Sequence, residues 1–321
     1  MPDNPPMHLI IPYASSTSEG CQNALPALQL PHLKKLLARL APSPPDAGDA
    51  HSLTPPHERA LACALGLPVT DGQIPWAALQ ARQPANLTQQ DGAWAFVTLC
   101  HWQVNTNHMV VSHLPLPDIS AAESDALLAA IRPYFEEDGI ALYPDAPGRW
   151  LAQGEVFANL ASAAPDRVLC RNLDDWMPTC AAAAPLRRLQ NEMQMLLYTH
   201  PLYDARTARG LVAANSFWIS GTGRLPAGYQ PPDASAQPTV VNTLRDAALA
   251  ENWPAWTQAW HAMDAQHIQP LLQAANVGTP VHITLCGERS SQTWHNGPMS
   301  ARQKIKSFFG LQPLSQLLEK L

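Results

Sequence analysis

Apolar residues recur along the chain in two rhythms. Short apolar runs bounded by proline, glycine or small polar residues alternate with stretches in which leucines return every three or four positions, the spacing of one helical face. His8 to Pro12 reads as a first strand and Tyr13 to Gln22 as the polar loop after it. Leu33, Leu36, Leu37 and Leu40 predict a helix over about Pro31 to Leu40. The proline-rich Ala41 to Pro56 must end it, since proline lacks the amide that would continue a helix. Glu58 to Leu65 begins another, closed by Gly66 and Pro68, and Ala93 to Cys100 with Val104 to His113 reads as a hairpin.

Ser120 and Glu123 stand in capping-box spacing before the apolar positions of 121–139, so a helix should open there. Ile140 to Tyr143 and Arg149 to Ala152 suggest two short strands. Pro185 to Tyr198 reads as a helix, Ala214 to Ile219 as a strand, Trp256 to Ala275 as a helix and Val281 to Cys286 as a strand. Strands alternating with helices predict an α/β fold with a mainly parallel central sheet flanked by helices. The Pro/Ala-rich Pro226 to Pro238 is a loop or linker, and the C-terminal 301–321 has helical spacing suited to an edge helix packed on the domain. Trp256 and Trp260, four residues apart, would share an exposed face if they lined an interface.

Composition narrows the setting. The 321 residues can bury a large core in one broad domain or two modest ones. Charged residues are only 14 %, against 46 % hydrophobic, so 32 prolines and the uncharged polar residues must dress stiff loops. A net charge of −6 argues against nucleic acid or an anionic membrane as partner. No run of about 18 apolar residues offers a membrane helix, and the short apolar run near the start lacks a basic flank, so a soluble cytoplasmic protein is expected. Six cysteines without a CxxC pair argue against a structural zinc site or a disulfide framework, and most should be buried thiols.

The densest chemistry lies between Leu189 and Pro226. His200, Asp204, Arg206 and Arg209 precede Asn215, Trp218 and Ser220 at the end of an apolar strand. Two guanidinium forks could hold a phosphate or carboxylate, with Asn215 and Ser220 orienting the rest of an anionic ligand. The alternative is a scaffold: Asp204 paired with an arginine, Asn215 satisfying backbone, Trp218 filling the core. His261, Asp264 and His267 are spaced for neighbouring places on a helix and could hold one divalent ion, although a polar, solvent-facing surface is the simpler reading. His101 and His113 more simply satisfy hydrogen bonds around the hairpin, and no Walker or dinucleotide fingerprint occurs.

Several segments, in order, resemble a known family. LPHLKKLLARL, DGAWAFVTLCHW, ISAAESDALLAAI, GRWLAQGE, HPLYDARTARG and AANSFWISGTGRLP are similar to collinear motifs of the archaeal-type, cofactor-independent phosphoglycerate mutases of the alkaline phosphatase-like superfamily. The chain looks closer still to bacterial regulatory proteins of the Rpf E type. The resemblance implies an alkaline phosphatase-like core over 1–90 and 186–321, with a smaller inserted α+β region over 91–185. It also implies a catalyst with two divalent metals, manganese or zinc, that activate a Ser or Thr.

The departures weigh against that catalyst. The first strand runs into IIPYASSTSEG without the expected aspartate, and LCGERSSQTW stands where an Asp-His-Gly cluster would fall. Ser15, Ser16, Thr17 and Ser18 offer hydroxyls, but a hydroxyl without a metal or adjacent base is a poor nucleophile. The expectation is a catalytically degenerate relative that needs no cofactor and binds an anionic or phosphorylated small molecule, or a protein partner, in regulation. A metal-dependent mutase with rearranged ligands and a structural interaction protein are the alternatives.

Overall fold

The computed structural model describes residues 7–83, 91–105, 108–296 and 313–321. Its strands begin with β1 (Met7–Ile11), β2 (Ala41–Pro42), β3 (Asp46–Ala47), β4 (Ala93–Val104), β5 (Met109–His113) and β6 (Ala141–Ala146). They continue with β7 (Arg149–Gln153), β8 (Ser216–Arg224), β9 (Thr239–Val240), β10 (Val281–Cys286) and β11 (Ser290–His295). Two compact units divide the chain: Met1–Gly66 with Gln230–Leu321, and Leu67–Tyr229.

In the first unit the sheet order is β2-β11-β10-β1-β9, with β3 also on β11. β1 runs parallel to β10 and to β9, while β11 pairs antiparallel with its neighbours. Side chains alternate across a strand, so Leu9, Ile11, Val281, Ile283 and Leu285 share one face. That face joins Leu33, Leu36, Trp256, Trp260 and Leu271 in one core. His8, Ile10, His282 and Thr284 follow on the other face.

The second unit holds an antiparallel sheet, β5-β4-β7-β6, with β8 on β4. Ala95, Val97, Leu99, Phe217 and Ile219 pack against Leu127, Ile131 and Phe135 of the helix Ala121–Glu137, and against Leu189, Met193 and Leu197 of the helix Ala184–Thr199. Trp94 and Leu151 meet Ala77, Ala78 and Ala81 in a separate cluster. The capping box is formed: Ser120 Oγ accepts the Glu123 amide and Glu123 accepts the Ser120 amide.

The mixed α/β class holds, but the sheets are not mainly parallel. Among the described residues, parallel pairing between strands is confined to the two neighbours of β1, with one isolated parallel bridge at Val111↔Leu169. The second unit, Leu67–Tyr229, takes in β8, which finds its hydrogen bonds on β4 from Cys100↔Ser216 to Ala93↔Arg224. The helix expected over Trp256 to Ala275 comprises Trp253–Met263, a π turn at Asp264–Ile268 and Gln269–Asn276. Trp256 and Trp260 are both fully buried, and Trp256 Nε1 donates to the Tyr13 carbonyl, which removes the exposed tryptophan interface. Cys21, Cys100 and Cys286 are buried, while Cys63, Cys170 and Cys180 are exposed, so burial accounts for half of the thiols.

The helix Leu314–Leu318 packs on the first core through buried Leu318, as an edge helix would; the expected segment's earlier part, 301–312, lies outside the described residues. Among the described residues no helix is long and apolar enough to cross a membrane.

Candidate functional site

The residues from His200 to Ser220 do not form one pocket wall; each is tied into the scaffold. His200 caps the helix Pro201–Ala208, its Nδ1 accepting the Leu202 amide at 3.2 Å. Asp204 is exposed in the first turn, where a carboxylate complements the helix dipole, and neither arginine pairs with it.

Arg206 is 1 % exposed. Its Nε donates to the Val212 carbonyl at 2.8 Å, Nη2 to Pro117 at 2.8 Å, and Nη1 to Asp118 at 3.1 Å and to Glu123 Oε2 at 3.0 Å. Arg209, half exposed, holds the other oxygen of Glu123. The Ser120 amide, opposed by desolvation and aided by the two arginines, brings the Glu123 carboxyl down to about 2. The guanidinium forks thus meet a carboxylate already present in the fold.

Asn215 extends the strand ladder. Its Oδ1 accepts the Trp102 amide at 2.7 Å and its Nδ2 donates to the Trp102 carbonyl at 2.8 Å. Trp218 Nε1 donates to Ala163 at 2.8 Å, and Ser220 is buried in β8 opposite Phe96. His101 and His113 bond locally, to the Ala213 carbonyl and the Ser112 hydroxyl.

Asp264 is also spoken for. It is 3 % exposed and accepts the His32 and Leu33 amides at the start of the helix Pro31–Leu37, while His261 stays exposed. Among the described residues no three His, Cys, Asp or Glu side chains gather as a metal site. The candidate residues named above do not assemble, among the described residues, the donor set that a dinuclear centre needs.

In open α/β sheets ligands bind beyond the carboxyl ends of parallel strands. Here β1 and β10 end side by side, Ile11 opposite Leu285. After β1, Ser15 is 2 % exposed, and Ser16 and Thr17 reach toward the turn after β10. Glu288 Oε2 accepts Thr17 Oγ1 at 2.6 Å, the Thr17 amide at 3.1 Å and Ser16 Oγ at 3.4 Å. The Leu321 carbonyl oxygen accepts the Ser290 amide and hydroxyl, each at 2.9 Å. A methyl group on Gly287 would overlap Leu321, so only glycine allows this approach. The sequence pointed to the serines but not to Glu288, which lies 271 residues from Thr17.

A cavity of about 380 Å³ in the second unit lies against Arg82, Asp91, Gly92, Arg224 and the loop Leu225 to Gly228, so two cations and one carboxylate line it. Arg82 Nη1 donates to the Tyr229 carbonyl at 2.7 Å, and Arg224 pairs with Glu155 at its exposed rim. Neither arginine stood out in the sequence, because each is a single cation in an otherwise uncharged stretch.

No protein-family model matches the chain. Over 122 residues it is 30 % identical to a probable 2,3-bisphosphoglycerate-independent phosphoglycerate mutase of Geobacter sulfurreducens, an alignment covering 37 % of this chain. The chain spans only 30 % of that relative's length. Among solved structures it is similar to a cofactor-independent phosphoglycerate mutase from Thermoplasma acidophilum, at 12 % identity and a TM-score of 0.35, with 98 % of this chain and 99 % of that one covered. It is also similar to the PH0037 protein from Pyrococcus horikoshii, at 12 % identity and a TM-score of 0.44, with 99 % and 98 % covered.

Proposed function

We propose that this chain is a phosphoglycerate mutase-like protein that has given up dinuclear metal catalysis. It acts in regulation, as the Rpf E-type resemblance implies, by binding an anionic, phosphorylated small molecule or a protein partner. The observation that carries this reading is the pair of loops beyond β1 and β10. They supply hydroxyls, backbone amides and one carboxylate, Glu288, which is already the acceptor for Ser16 and Thr17. Two divalent ions need several anionic or imidazole donors, because their charge must be balanced and their shells filled.

With Arg206 buried on Glu123, an anionic ligand finds its principal cation in Arg82, on a cavity wall where Asp91 and the Glu155-paired Arg224 also stand. Guanidinium donors on the wall of a concave site suit a phosphate or carboxylate. The test is a manganese-supplemented assay of 3-phosphoglycerate conversion, run beside metal analysis and 3-phosphoglycerate titration of the same preparation. Saturable binding without turnover or stoichiometric manganese is expected, and Arg82→Ala should weaken it about tenfold or more. Turnover with bound manganese would overturn the reading.

One observation favours the enzyme alternative. Thr17 Oγ1 lies 2.6 Å from Glu288, the hydroxyl and adjacent base that nucleophilic catalysis requires. If that pair were catalytic, Glu288→Gln would abolish a turnover measurable in the parent protein.

A further inference from the structure

Three histidines stand in one row across the sheet of the first unit. His8 in β1 is opposite His282 in β10, which is opposite His295 in β11. The His8 and His282 ring centroids are 5.5 Å apart, and those of His282 and His295 are 5.8 Å apart. All three are half-buried. The row lies near the amino end of β10, away from the Glu288 turn that follows its carboxyl end.

The surroundings hold this row in place. His8 Nε2 is 2.8 Å from Thr284 Oγ1, which is 2.8 Å from Thr293 Oγ1, so a hydroxyl pair anchors one end. Beside His282, the Val281 amide donates to Asn296 Oδ1 at 2.7 Å, which fixes the β10–β11 register where the two imidazoles face each other. Among the described residues neither the His282 nor the His295 ring has a hydrogen-bond partner. Their ring nitrogens are therefore not committed to the protein scaffold and can take a ligand from the solvent side.

We infer that His282 and His295 form a two-imidazole, cross-strand chelate for a divalent transition ion of zinc type, with His8, held by Thr284, packing beside them and not ligating. Imidazole is the nitrogen donor such ions prefer, and it binds them only when neutral. Zinc–nitrogen bonds of about 2.0–2.1 Å put two rings on one tetrahedral ion with centroids roughly 5 Å apart. The observed 5.8 Å therefore closes by small side-chain rotations without a change of strand register. With two imidazoles and no carboxylate in the row, water completes the shell. This site is separate from the phosphoglycerate mutase resemblance, whose metals would sit beyond the carboxyl ends of the strands.

The full chain, stripped with a chelator, should take up one equivalent of zinc with micromolar affinity and melt at higher temperature when loaded. Cobalt should substitute and give a visible absorption band. His282→Gln and His295→Gln should each weaken uptake by about tenfold or more, whereas His8→Gln should leave it within about twofold. His261→Gln, on an exposed helix, should change nothing. Zinc should also shift the ring nitrogen resonances of His282 and His295 in the unmodified protein, a readout independent of whether any variant folds. Failure of the wild-type chain to bind zinc saturably, or binding that survives loss of both His282 and His295, would overturn the inference. Neither result bears on the mutase assay, which reads manganese-dependent turnover.

Discussion

Asp264 holds the start of a helix to which it does not belong. Its Oδ1 accepts the Leu33 amide at 2.7 Å, while Oδ2 takes the His32 amide at 3.1 Å and His32 Nδ1 at 2.9 Å. The helix Pro31–Leu37 has no side-chain cap of its own, since Leu30 stands at the capping position. A buried carboxylate therefore satisfies amides that would otherwise be orphaned, and its charge suits the positive end of the helix.

Asp264→Ala should destabilise the first unit by about 2–4 kcal/mol, the combined cost of a lost cap and of buried donors left unpaired. Asp264→Asn retains one acceptor oxygen and should cost less. Urea unfolding of both variants measures the difference. Equal stability of the alanine variant and the parent would show that water replaces the carboxylate.

Arg206→Ala removes a guanidinium that joins Pro117, Asp118, Glu123 and Val212. Breaking a buried pair typically costs about 3–5 kcal/mol because its partners stay behind without compensation. The variant should lose most of the protein's stability or fail to accumulate, whereas Arg209→Ala, at a half-exposed position, should cost about 1 kcal/mol or less. Chemical denaturation monitored by tryptophan fluorescence distinguishes the two. A folded Arg206→Ala protein with weakened anion binding would restore Arg206 as a ligand residue.

What could be read from the sequence follows from range. The Ser120–Glu123 box spans three residues and was visible as spacing, as were the apolar runs that became β1 and β10. Arg206 meets Glu123 across 83 residues and Asp264 meets Leu33 across 231, so residue type alone left cap and ligand indistinguishable. β11, Ser-Ser-Gln-Thr-Trp-His, escaped notice because only Ser291 and Trp294 are buried and the rest are polar. The parallel sheet was over-extended because a buried antiparallel strand such as β8 is as apolar as a parallel one.

Acid should unfold the protein in two overlapping stages with the same sign. Burial, with His282 beside it, lowers the His8 pKa from 6.5 to about 4. The unfolded chain then binds the His8 proton more readily, so stability is lost as pH falls from about 6.5 toward 4, by up to about 3 kcal/mol for this residue. Glu123 has its pKa lowered from 4.5 to about 2, and its contribution is present above 4.5 and lost as pH falls toward 2. In chelator-treated protein, urea midpoints measured from pH 7.5 downward should decline first over the histidine window and again over the carboxylate window. His8→Gln should flatten the upper decline while Glu123→Gln, less stable at neutral pH, should flatten the lower one. A midpoint constant between pH 6.5 and 4 in the parent protein would mean that His8 is hydrated in solution and that the buried histidine row opens on that side.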